Sequence, residues 1–164
     1  MPTTNPIDIL LAHDAWATRQ ILLACEKLTP EQFTKLFDLG PGSLQATLTH
    51  ILGAMQTWSD TLAQRPLGTR LDTGEQRYSA SELLPLLDKI AAEFATLARS
   101  HPLDGTVKRT RNNQEFSFVR AAVITHVATH GMHHRAQCLN MLKQLGVKPL
   151  PLSSIAEWSR TADR

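Results

Sequence analysis

Apolar residues recur at spacings of three and four in four long stretches of this chain, with polar and turn-forming residues between them. The first stretch carries Ile7, Leu10, Leu11, Ala15, Trp16, Ile21, Leu22, Cys25 and Leu28, a set that shares one side only if the backbone is helical. Asn5 before Pro6 suits its start, because the Asn side chain accepts from an orphan amide and proline has no amide to leave orphaned. The pattern predicts a first helix over about residues 6 to 28.

Thr29-Pro30-Glu31-Gln32-Phe33 predicts a short helical turn by the same logic, and Gly40, Pro41 and Gly42 then interrupt regular structure. Ser43 can cap a second helix whose stripe of Leu44, Leu48, Ile51, Leu52, Met55, Trp58 and Leu62 runs to about Gln64. Arg65 to Ser79 holds Pro66, Gly68 and Gly74 without a sustained period. A loop of this length is unusual in a compact bundle, and such loops are often functional or mobile.

A third helix is predicted from Ser81 to Arg99 through Leu83, Leu84, Leu87, Ile90, Phe94 and Leu97, with Pro85 tolerated near its start. Residues 100 to 116 allow either a small hairpin, Thr106 to Arg109 with Gln114 to Phe118, or an irregular connection. The fourth helix is predicted from Phe118 to Leu145, stopping before Gly146. A tail from Ser153 to Arg160 can add a turn or two, with Ile155, Ala156 and Trp158 as its apolar side. Four amphipathic segments must bury their stripes against one another, and 164 residues suffice for one core. The expectation is an all-α fold: one domain over residues 1 to 164, an antiparallel four-helix bundle with a long crossing loop and a short helical tail.

Charge narrows the function classes. Lys and Arg total 17 against 15 acidic residues, a formal net charge of +2, too small an excess to argue for nucleic acid. Cys25 and Cys138 fall inside predicted helices and are expected to be buried free thiols of a reducing compartment, with an interhelical bridge or a reactive thiol as the alternatives. No basic region precedes the first apolar residues, and no apolar run approaches ~18 positions. No membrane span and a cytoplasmic location are therefore expected.

The seven histidines are unevenly placed, with His126, His130, His133 and His134 clustered in the fourth helix. His126, His130 and His134 are spaced i, i+4, i+8 and stack along one face at about 6 Å of rise per step. Val119, Val123, Val127, Met141 and Leu145 flank that face and predict that it is buried, while Arg120, His133, Arg135 and Lys143 fall largely elsewhere. Buried imidazoles need partners on their ring nitrogens. Two nitrogens one turn apart can share a divalent ion at ~2.0 to 2.1 Å; backbone, Asp or Ser groups could satisfy them instead. His50, midway along the second helix's apolar stripe, is the strongest candidate for a ligand from a second helix.

Other candidates are weaker. Asp14 and Asp60 read as helix-surface carboxylates. The run Lys108-Arg109-Thr110-Arg111 could meet an anionic substrate at a bundle end, or simply be solvated.

His126-Val-Ala-Thr-His130-Gly-Met-His133-His134-Arg135-Ala136-Gln137, with Leu48-Thr49-His50-Ile51 and Trp58 upstream, resembles the signature of the DinB-like family. That group of four-helix bundles includes relatives of bacillithiol and mycothiol transferases. The resemblance implies that His50, His130 and His134 hold one divalent metal ion per chain; three imidazoles would leave positions open on it, and zinc or nickel is the expected ion. The family commonly has Gly where this chain has Ala136, which removes no ligand. The resemblance also implies a transferase acting with a low-molecular-weight thiol on a small electrophile. The competing class is a non-enzymatic stress-responsive protein with a structural metal. His126 is left to line the site or to pack, and His133 to face solvent or an interface. A homodimer is expected, with Trp16, Trp58 and Trp158 as candidates for the shared surface.

Overall fold

The computed structural model describes residues 4–161. Helix α1, Pro6–Cys25, begins where the Asn5 side chain accepts from the Ile7 amide, and it gives way to turns before Leu28. Helix α2, Pro30–Thr34, opens with a reciprocal pair of caps between Thr29 and Gln32. Helix α3, Leu44–Leu62, is capped by Ser43 as expected. Helix α4, Ala80–Arg99, starts slightly earlier than Ser81 because Ser79 and Glu82 form a second capping box.

The connection after α4 is a hairpin. Strands β1, Thr106–Arg111, and β2, Gln114–Val119, pair antiparallel in a register that sets Val107 opposite Phe118 and Arg109 opposite Phe116. Asn112 and Asn113 take positive φ of 52° and 60°, the left-handed pair that a tight two-residue hairpin turn requires and that Asn tolerates. Phe118 therefore lies in β2, and helix α5, Arg120–Gln144, begins after it. A short helix α6, Ile155–Thr161, forms the tail.

The four main helices pack as a bundle, with α1 against α4 and α5, and α3 against the same two. Buried Arg120 shows how they are oriented, since its guanidinium donates to the carbonyls of Leu62 and Leu97. The ends of α3 and α4 thus meet at the start of α5. Arg99 pairs with Asp8, which brings the start of α1 to that same end. Antiparallel packing holds for α1 with α4 and for α3 with α5, and the crossing loop allows α4 to run in the same direction as α3.

That loop, residues 63–79, follows α3 backwards. Gly68 N–H donates to Asp60, Asp72 reaches His50, and the Tyr78 carbonyl accepts from Gln45. Gly53 permits the approach, because a Cβ there would lie 3.0 Å from Asp72 Oδ1. The core between the helices holds Ile21, Leu22, Leu48, Leu52, Leu83, Leu87, Phe94, Ile124, Met141 and Leu142, all essentially removed from water. Each such side chain contributes about 1.5–3 kcal/mol of transfer free energy.

Several sequence expectations need correction. Asp14 and Asp60 are buried rather than superficial, Asp14 paired with Arg135 and Asp60 with Arg65. Arg120 and Arg135 are also buried, because each guanidinium meets oxygen acceptors inside the bundle. The histidine face of α5 is only partly covered: His126 and His133 are exposed, and His130 and His134 half-buried. The buried stripe instead runs through Val123, Val127, Gly131, Arg135 and Cys138.

Cys25 and Cys138 are buried and unbridged. Burial pushes the Cys25 thiol up to about 12 and raises that of Cys138 as well, so neither is a ready nucleophile. Each tryptophan has an intramolecular ring neighbour, Trp16 and Trp158 at His13 and Trp58 at Phe118. Among the described residues no helix is long and apolar enough to cross a membrane.

Candidate metal centre

The antiparallel crossing of α3 and α5 sets His50 opposite His130 and His134. One ligand atom from each of the three lies within 4.8 Å of the others. His50 Nε2 and His130 Nε2 are 3.1 Å apart. Two nitrogens bound tetrahedrally at ~2.0–2.1 Å to one ion lie about 3.3 Å apart, so the spacing already approximates the bite of a metal. The rings stand close and steeply inclined, with centroids 4.4 Å apart for His130 and His134 and 4.7 Å for His50 and His134.

Outer contacts select the tautomers. His50 Nδ1 is 2.8 Å from Asp72 Oδ2 and 3.2 Å from Arg70 Nη2; an ionised carboxylate only accepts, so the shorter contact puts the proton on Nδ1 and leaves Nε2 a lone pair. Burial pulls the Asp72 carboxyl upward, but hydrogen bonds from Arg70 and His50 outweigh it and hold the group below its ordinary range. Arg70 grips both Asp72 oxygens, at 2.8 and 2.6 Å. His134 Nδ1 donates to Gln137 Oε1 at 2.7 Å, while the Gln137 amide donates to His133 Nε2 at 3.1 Å. Gln137 is in turn crowded by Gly40, where a Cβ would collide with its side-chain amide. Two of the three rings are thus oriented from behind with their free nitrogens directed inward.

Electrostatics favour the neutral rings that a metal needs. Burial, followed by the neighbouring imidazoles His134 and His50, lowers His130 to about 4. Burial also lowers His134, against a partial offset from Gln137. The donor set fits a divalent ion: three neutral nitrogens leave its charge uncancelled and its remaining positions open.

The site borders solvent. His50 forms part of the wall of a cavity of about 570 Å³ that Thr34, Leu36, Gln45, Asp72, Arg77 and Tyr78 also line. Exposed His126 stands edge-on to Trp58 with centroids 5.2 Å apart, and 5.6 Å from the His130 ring. The structure therefore brings together the three histidines singled out by sequence and leaves His126 beside them, against an aromatic ring. His133 is exposed and meets the site through Gln137 and edge-on against the His134 ring, with centroids 5.0 Å apart.

The sequence model of the DinB family matches residues 1–162. The chain belongs to the DinB family. A comparison with curated proteins gives no match. Within this DinB fold, sequence reasoning missed the supporting residues Asp72, Arg70 and Gln137. Gln137 follows His134 at i+3 and could have been inferred from helical spacing. Asp72 and Arg70 lie in an aperiodic loop, which carries no such signal.

Proposed function

We propose that the chain binds one divalent ion, zinc or nickel, through His50, His130 and His134, and works as a transferase that joins a low-molecular-weight thiol to a small electrophile. The observation that carries this is the convergence of three imidazoles beside an open cavity, with no fourth His, Cys, Asp or Glu in the cluster among the described residues. A divalent ion held there supplies positive charge that stabilises a thiolate at neutral pH.

The protein's own groups have three tasks. Asp72 and Gln137 fix the rings of His50 and His134, Arg70 keeps Asp72 ionised, and the cavity beside His50 takes the body of the thiol. In the reaction the thiol proton leaves to solvent, sulfur forms a bond to the electrophilic carbon, and the leaving group departs with the electron pair of the broken bond. The same cluster joins α3 to α5, so a purely structural metal is the competing account.

Cobalt-loaded protein titrated with 2-mercaptoethanol separates the two. A thiolate-to-metal charge-transfer band is expected; an unchanged spectrum at saturating thiol overturns the transferase assignment and leaves a structural ion. The buried, unbridged cysteines support placing the protein in the reducing cytoplasm. A homodimer is part of the same reading, with half-buried Trp16, Trp58 and Trp158 as candidates for the shared surface, and sedimentation showing only monomer at tens of micromolar rejects it.

A further inference from the structure

The hairpin brings one unusual charge to the histidine face. In the register of β1 and β2, Val107 and Arg109 lie on the same side of the strand. Val107 enters the core, and Arg109 follows it inward until its guanidinium lies over the Trp58 ring, 4.9 Å from the centroid. Three neighbouring cations have acidic partners: Arg70 holds Asp72, Arg65 holds Asp60 and Glu93, and Lys108 holds Glu115. Among the described residues Arg109 pairs with no carboxylate, and its Nε is buried without a hydrogen-bond partner.

Arg109 is half-buried in this position. Burial, then the charges of Arg111 and Arg70, push its pKa below the ordinary arginine range. An anion laid against the guanidinium would satisfy the idle Nε donor and relieve the repulsion together. Stacking on Trp58 holds the planar fork in place, which favours the two coplanar oxygens of a carboxylate. A phosphate more often uses a cradle of free amides at a helix start. Here the first amides of α5 are spent, Arg120 N–H on Gly105 and Ala121 N–H on Leu103.

Position links this charge to the metal centre. Trp58 carries Arg109 on its ring and His126 at its edge, and His126 adjoins His130. Phe118 also stands edge-on to Trp58, at 5.3 Å, so the path between the arginine and the histidines is aromatic. We propose that Arg109 is the anion receptor of the histidine site, and that one reactant is a small organic acid whose carboxylate rests on Arg109 while its reacting end lies toward His130. This rests on the three histidines being an open, thiol-accepting metal centre.

The test uses zinc-loaded protein titrated calorimetrically with ω-mercaptocarboxylates of increasing chain length, the matching ω-mercaptoalcohols, and inorganic phosphate. At the best chain length the acid is expected to bind about tenfold or more tighter than the alcohol, the scale of one charge-assisted hydrogen-bonded pair. Arg109→Gln should bring the acid down to the alcohol's affinity with zinc content unchanged, and Arg109→Lys should restore only part of the advantage. Equal affinities in the wild type, an acid preference that survives Arg109→Gln, or phosphate binding tighter than the acid each overturn the proposal. If the alcohol binds and the acid gains nothing, Arg109 alone is misassigned. If neither thiol binds, the thiol-accepting centre fails and the Arg109 proposal falls with it.

Discussion

Two of the polar clusters that helix α5 turns inward are treated differently by the bundle. Toward α1, Arg135 donates to the Asp14 carboxylate, the Asp14 carbonyl and Thr18 Oγ1, with both charged side chains almost wholly removed from water. Toward α3, His130 and His134 meet His50 while remaining half open, and His50 Nε2 lies 3.1 Å from His130 Nε2. The first cluster spends its hydrogen-bonding capacity internally. The second is braced from behind by Asp72 and Gln137, with its inner nitrogens facing one another. A sealed polar cluster serves the fold, whereas a braced and accessible one has capacity left for a ligand.

The largest effect expected from this contrast is in the sealed cluster. Asp14→Ala leaves Arg135 buried without its counter-charge and should cost about 3–5 kcal/mol. Urea unfolding measures it, and a loss under about 1 kcal/mol would show that the pair is not the structural element described. Gly131→Ala probes the same place through space, since its Cβ would lie 2.5 Å from Asp14 Oδ1 and 2.7 Å from Arg135 Nη1. Forcing that locked pair apart should cost about 1–3 kcal/mol, and an unchanged melting temperature would contradict the tight fit.

The open cluster should show itself through pH before it shows itself in stability. His130 titrates at about 4 in the folded chain and near ~6.5 when unfolded. Between those values the unfolded chain binds more protons, so this contribution is fully present above the unfolded value and is lost as pH falls toward 4. Metal-free wild type should therefore lose more stability between pH 7 and 5 than His130→Gln does, and identical slopes would contradict the lowered pKa. The smallest effect is on the metal-free fold itself. His134→Ala should change its stability by less than about 1 kcal/mol, and a loss as large as that of Asp14→Ala would erase the distinction between the clusters.

The same contrast explains how much could be read from the sequence. Spacing alone located the four helices, because each carries a stripe of period near 3.6, and it brought out His130 and His134 as a pair one turn apart. It misjudged α5 because the flanking valines suggested a buried histidine face. The actual stripe includes Gly131 and Arg135, and a glycine and an arginine carry no apolar signal. Asp14 could not be recognised as buried without knowing that Arg135 lies opposite it. Asp72, Arg70 and Arg109 are brought to the site by a crossing loop and a hairpin, whose tertiary placement leaves no periodic trace. The Asn112-Asn113 turn did leave one, and the hairpin it closes is what carries Arg109 to Trp58.

The central claim is that His50, His130 and His134 hold one divalent ion in a site that leaves the fold independent of it. Its most direct test is equilibrium dialysis against zinc followed by elemental analysis, for wild type and for the three single His→Ala variants, with folding of each verified by circular dichroism. The expected result is one ion per wild-type chain and a loss of tight binding in every variant, each still folded. Full metal retention by folded His130→Ala and His134→Ala would contradict the assignment.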